Sequence, residues 1–232
     1  VSDPEGRKGA RSLASPAPLR VPPLFRRIDW LAMLLTFAVV FVTYYLTVAP
    51  ELTLEDCGEL VTGSFYAGIP HPPGYPFWTI YSWLWTQLLP FGNMAWRVGV
   101  AEAFAGAVAC GLLALMVSRG SSLFMEGLED LKNLTGKWEG AICLVCGFVA
   151  GALLGVDGFM WKESVVVNRI AVFSVPWMIV LLLCLLRWIY APHQMRYAYT
   201  AAFIFGICMT IHQSLIVAAI AFEVALAAGN EK

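Results

Sequence analysis

The apolar residues of this chain fall into long runs, unlike the alternating or one-faced patterns of soluble strands and helices. The first run, Trp30 to Ala49, holds 20 residues without a charge, enough for one helix to span the hydrocarbon core. It is longer than a signal-peptide core, so it is expected to stay as an uncleaved anchor. A second run, Phe77 to Leu89, holds only 13 residues between prolines and is too short to cross. Phe77, Trp78, Tyr81 and Trp85 recur in it at near-helical spacing, which predicts an interfacial helix. Runs over 98–117, 140–156 and 172–188 predict three further crossings. From Tyr197 to Ala228, about 32 mainly apolar residues are interrupted by His212, Gln213 and Glu223, which predicts a break near His212. The expected fold class is therefore all-α. It is a polytopic membrane protein of about five or six transmembrane helices, with two interfacial helices in the first outer loop.

Composition agrees: of 232 residues, 59% are apolar and 13% charged, with a mean hydropathy of +0.70. A net charge of −1 gives no global field for nucleic acid. Cys110, Cys143, Cys146, Cys184 and Cys208 sit in apolar runs and read as small buried hydrophobes. Cys143 and Cys146 have C-x-x-C spacing, but no second pair or nearby His completes a zinc set, so no metal site is expected. Charge also sets the organisation. Residues 1–28 are expected to form a disordered arm, held in the cytoplasm by Arg7, Lys8, Arg11, Arg20, Arg26 and Arg27. Residues 29–228 form the membrane module, with an outer loop at 50–96, and 229–232 are expected to be the truncated end of a longer chain.

If 77–89 does not cross, Arg119, Lys132, Lys137, Arg187 and Arg196 face the cytoplasm, and the stretch Trp161 to Arg169 faces outward. If it crosses, everything downstream inverts. Lys162 and Arg169 oppose the first topology, and the convergence of polar residues on one face favours it.

That convergence centres on Pro50 to Pro76. No Lys or Arg lies between Arg27 and Arg97, so Glu51, Glu55, Asp56 and Glu59 form an uncompensated acidic loop. On a helix over 54–67, Asp56 and Glu59 share a face, and paired carboxylates suit a general base. Alternatively, Thr53 and Asp56 have the spacing of a capping-box variant, and Glu59 is a solvated acid. In His71-Pro72-Pro73-Gly74-Tyr75-Pro76, the prolines stiffen the backbone, Gly74 allows close approach, and the following helix start could hold a phosphate. The other reading is a rigid corner, with His71 bonding the loop backbone. Downstream, Arg169 offers a planar fork and Lys162 a point charge for phosphate, or both are snorkelling cations. Asn168 stands beside them. Glu102 and His212 are ionisable groups inside apolar runs, and Glu102 is expected to pair with Arg97.

The D-x-G-E loop (Asp56 to Glu59), the H-P-P-G-Y-P turn after it, a Trp-led outer segment and an H-Q at a helix end together carry a resemblance. From about Trp30 to Glu223, the chain resembles the N-terminal membrane module of multipass bacterial relatives of eukaryotic protein O-mannosyltransferases, which have GT-C architecture. The resemblance implies a polyprenyl-phosphate sugar donor, an acidic residue as base, and a hydroxyl acceptor on protein Ser/Thr or a glycan at the outer face. Carried over by motif, Asp56 and Glu59 are catalytic, and His71, Pro72, Pro73, Gly74, Tyr75 and His212 bind substrate or donor. Lys162, Asn168 and Arg169 join the donor set, although relatives often have E-V-Y where this chain has Asn168, Arg169 and Ile170. The implied setting is a bacterial cytoplasmic membrane with the N-terminus inside. The implied partners are membrane lipid, the lipid-linked donor, the acceptor and a C-terminal remainder, with no cofactor beyond the donor and no nucleic acid. The alternative is a multipass transporter or lipid-linked substrate-binding protein in which Glu102 and His212 line a path. The lack of visible repeats counts against it.

Overall fold

The computed structural model describes residues 23–53, 55–72, 74–127, 138–167 and 170–230, which are helical with no strand among them. Helices α1 (Arg27–Thr47), α2 (Cys57–Tyr66), α3 (Pro76–Leu88) and α4 (Met94–Gly127) are followed by α5 (Glu139–Val156) and α6 (Gly158–Val165). Then come α7 (Ala171–Tyr190), α8 (Arg196–Ile211), a 3-10 turn (Gln213–Val217) and α9 (Ala218–Asn230). Helices α1, α4, α5 and α7 are long and apolar enough to cross a membrane, which makes this an integral membrane protein. The helices over Arg196–Ile211 and Gln213–Ala228 are apolar but shorter. The break falls at His212, whose backbone is extended (φ −156°, ψ 133°). Most of the expected arm, together with Glu231 and Lys232, lies outside the described residues, as do Lys132 and Lys137.

Helix α4 is the central element, packing against α1, α5, α7, α6, α3 and α2. Small residues make this possible: Gly99, Ala103, Gly106, Ala107, Cys110, Gly111 and Ala114 are all buried along it. Lipid tails are as apolar as Leu, so helices associate in a bilayer through close van der Waals contact, and small side chains allow the backbones to approach. Helix α5 answers with glycines one turn apart. A methyl on Gly147 would stand 2.6 Å from the Ala114 carbonyl oxygen, and one on Gly151 2.5 Å from that of Cys110. A methyl on Gly155 would meet Val40 of α1 at 2.8 Å. The Tyr44 hydroxyl donates to the Gly155 carbonyl at 2.7 Å, so α1 is fastened along the same seam.

At its far end α4 runs ten residues past the expected 98–117 run. Neighbours take up several of the extension's polar groups. The Ser118 hydroxyl donates to buried Asp29 of α1 at 2.6 Å, and that of Ser122 lies 3.0 Å from Glu139 of α5. Arg26 also pairs with Glu139, closing a link between the ends of α1 and α5.

The seam predicts a contrast between two helical glycines. Gly151→Ala should lower thermal stability by about 1–3 kcal/mol, the usual cost of overpacking. Gly206→Ala, where a methyl meets nothing within 4 Å, should be neutral or stabilise by about 0.5–1 kcal/mol. Thermal unfolding of both variants in detergent is the measurement.

Candidate functional site

At the opposite end of the bundle, between α1 and α4, the chain folds two short helices onto the scaffold. Helix α2 buries Cys57, Leu60 and Val61, and its Ser64 hydroxyl meets that of Ser82 on α3 at 2.8 Å. Helix α3 has Pro76 at its first position, where a missing N–H costs nothing. The Trp78 indole N–H donates to Glu102 of α4, the Tyr81 hydroxyl to the Ala101 carbonyl at 2.7 Å, and Arg97 to the Thr86 carbonyl at 2.9 Å. Both ends of α3 are thereby held against α4. The expected Glu102–Arg97 pair does not form. Five residues apart, their side chains leave the helix about 140° apart, so Arg97 reaches back to loop carbonyls while Glu102 turns inward to Trp78.

The turn between α2 and α3 is built on left-handed backbone. Gly74 (φ 90°) and Tyr75 (φ 41°) both adopt it, and the Gly74 N–H closes the turn on the His71 carbonyl at 3.0 Å. Glu59 anchors it from α2: its carboxylate accepts the His71 backbone N–H at 2.6 Å and lies 3.1 Å from His71 Nδ1. These bonds, the backbone one foremost, hold the Glu59 carboxyl below its ordinary 4.5.

A cavity of about 350 Å³ opens beside this turn, lined by Asp56, Leu60, His71, Tyr75, Phe159, Ile170, Ala171 and His212. Its residues are mostly helix starts. Asp56, Tyr75 and Ile170 are the N-cap residues of α2, α3 and α7, and none of the three caps its helix through its side chain. His212 is the N-cap of the 3-10 turn and accepts the Ser214 N–H. Phe159 lies in the first turn of α6, whose own cap, Asp157, accepts from Phe159 N and Met160 N. Three α-helix N-termini, none capped by the side chain of its N-cap residue, thus bring the positive ends of their dipoles to one opening, an arrangement that favours an anion.

Of the residues singled out from the sequence, Asp56, His71, Tyr75 and His212 line this cavity. Asp56 occupies the cap position without making a cap bond, so its carboxylate is not consumed by the helix end. Glu59 is placed behind His71, outside the lining. Pro72 and Gly74 belong to the turn, and Lys162 is exposed on α6 away from the lining. Pro73, Asn168 and Arg169 lie outside the described residues. Leu60, Phe159, Ile170 and Ala171 were not anticipated. For Phe159 the local signal was Asp157 before Gly158, an N-cap candidate. Among the described residues, no group of three or more His, Cys, Asp or Glu side chains could hold a metal ion.

The Glu59 geometry gives a pH dependence. A carboxyl held below its ordinary value adds order above that value and loses it as pH falls through the depressed one. Protection of the His71 amide against hydrogen exchange, corrected for intrinsic rate, should therefore be full at neutral pH and decline below about 4.5. Glu59→Gln should show weaker protection at neutral pH and no such decline.

Residues 56–232 match the family model described as the protein O-mannosyl-transferase TMEM260 N-terminal domain. A mouse protein named protein O-mannosyl-transferase TMEM260 is 36% identical over 108 residues, which cover 44% of this chain and 15% of the mouse protein. A Dictyostelium discoideum protein named protein O-mannosyl-transferase tmem260 is 28% identical over 79 residues, covering 33% of this chain and 10% of that protein. The chain thus spans only a small part of the length of these relatives. No solved structure matches it. Since the family match begins at the D-x-G-E aspartate and takes in well over half of the chain, the chain belongs to the family of the protein O-mannosyl-transferase TMEM260 N-terminal domain.

Proposed function

We propose that this chain is the membrane module of a glycosyltransferase that moves a sugar from a polyprenyl-phosphate donor to a protein hydroxyl at the outer face of the membrane. The observation that carries the reading is the convergence of three uncapped α-helix N-termini on a cavity that also holds Asp56, His71 and His212. The donor phosphate would lie at those N-termini, whose N–H groups and dipoles favour the negative charge that grows as the phosphate leaves. Asp56 would take the proton from the acceptor hydroxyl as its oxygen attacks the anomeric carbon. The bond from that carbon to the phosphate oxygen breaks, and polyprenyl phosphate departs with the electron pair. Glu59 would act on the turn and not on substrate, holding His71 at the cavity edge. Arg169, next in sequence to cavity-lining Ile170, remains the proposed cation for the phosphate, with Asn168 beside it and exposed Lys162 farther out. An apolar groove of about 580 Å³ between α3 and α8 begins at Pro76 and Phe77 and continues along Phe203, Gly206 and Ile207. It supports a polyprenyl chain lying against α3 with its phosphate at the turn. The names of the mouse and Dictyostelium relatives support a mannosyl group and a protein acceptor.

The reading places the N-terminus in the cytoplasm and the loop 50–96 outside, with α2 and α3 in the interface. Single cysteines at Ile69 and Phe91, both exposed, should react with an impermeant maleimide from the outer side, and one at His193 only after permeabilisation. Labelling of Phe91→Cys from the cytoplasm alone would invert the topology and remove the outer-face site.

Asp56→Asn in the full-length protein should lower transfer by roughly 100-fold or more, because an amide takes no proton near neutral pH. Thermal stability should be unchanged, since the side chain makes no cap bond. Full activity in this variant would rule Asp56 out as the base.

A further inference from the structure

Helix α9 carries a carboxylate on a face that is otherwise apolar, and the path of the chain sets its depth. Helix α7 starts at the cavity with Ala171, and α8 returns to the same cavity at His212. Helix α8 therefore runs back along the course of spanning α7, against which it packs. After the break, α9 doubles back in turn. Phe222 lies against Phe205 in the middle of α8, with ring centres 5.6 Å apart, and Ala225 is buried. Glu223, next to Phe222, thus stands at the middle depth of the bundle. It is exposed, on one stripe with exposed Ile220, Val224 and Ala227. Among the described residues it has no hydrogen-bond or ion-pair partner. The contrast with other helices is sharp. Glu102, a carboxylate deep in α4, is buried and accepts the Trp78 N–H. The exposed residues along the middle of α1 and α5 are apolar, among them Leu35, Val39, Val145 and Val149.

We infer that the stripe from Ile220 to Ala227 is the docking surface for a further membrane-spanning helix of the full-length polypeptide, one that sets a basic side chain against Glu223. An ionisable group inside a bilayer faces protein or a water-filled cavity, because hydrocarbon offers it no partner. From the middle of the bundle a glutamate side chain is too short to reach either interface. Helix α9 also has the surface that close packing needs. It is rich in alanine: Ala218 and Ala225 are buried, and Ala227 on the open stripe is small enough for a second backbone to approach. The same polypeptide is the favoured source of that helix. The family match is to an N-terminal domain, and the mouse and Dictyostelium relatives are several times longer than the segments they share with this chain. Polypeptide following α9 in the full-length protein is tethered beside this face, at high effective concentration. The surface does not depend on the transfer reaction proposed above.

The test is site-specific photocross-linking of the full-length protein in its membrane. A photoreactive side chain in place of exposed Val224 should form an adduct, identified by peptide mass spectrometry, with a segment of the same polypeptide beyond residue 232 that carries Lys, Arg or His. An adduct with lipid alone, with another protein or between two copies would overturn the inference, as would a cross-linked segment without a basic residue. Glu223→Leu in the full-length protein should lower the melting temperature by several degrees, because it strands the partner's charge. An unchanged or raised melting temperature, the result for a carboxylate that faces lipid, would overturn it as well. Asp56→Asn should leave both readouts as in the wild type, so failure of the transferase reading and failure of the docking surface give separate outcomes.

Discussion

The structure depends on how closely α5 can approach α4. Inside a bilayer no water is released when two apolar helices meet, so the seam holds through short contacts between backbones. Gly147, Gly151 and Gly155 leave no room for a methyl group against α4 and α1. With those three helices locked, α4 has a fixed N-terminal half on which α2, α3, α6 and α7 are laid. The Trp78–Glu102 bond fastens α3 to that half, and the Ala49 N–H bond to the Val165 carbonyl at 2.8 Å ties α6 to the end of α1. The cavity is the gap left where these pieces begin.

The division of labour in the cavity follows from helix direction. Each of α2, α3 and α7 starts at the cavity and runs away from it, so their dipoles add at one place. Asp56 is the acidic group inside that field. Its neighbour Glu59 turns to the backbone of His71 and stabilises the loop. Two carboxylates that look equivalent at three-residue spacing are therefore placed differently, Asp56 in the cavity lining and Glu59 on the His71 turn.

Much of the scaffold was legible in the sequence because bilayer thickness fixes the length of a span. The 20-residue first run, the shortness of α3 and the break at His212 all follow from counting. The overshoot of α4 was not legible, since Ser118 and Ser122 are tolerated only through partners on α1 and α5 far away in the chain. The glycine spacing of α5 is visible in the sequence, but the groove it fits is not. At the site, the motif residues Asp56, His71 and Tyr75 could be picked out by type. Phe159, Ile170 and Ala171 could not, because they enter only through the meeting of helix starts. Glu102 misled because an arginine nearby in sequence lies on another face of the helix.

The non-glycine residues with left-handed backbone among the described residues are Glu55, Ala67 and Tyr75, and all three lie in the short stretch that holds the site. Such backbone is disfavoured for ordinary side chains and persists only where the surroundings over-determine it. A peptide copied from this stretch would relax to other conformations, and the same segment spliced onto a foreign helix pair would lose the placement of Asp56 and His71. The shape of the site is thus a boundary condition imposed by α4 and α7. The unit that can be transplanted is the helical frame, with the loop as its dependent part.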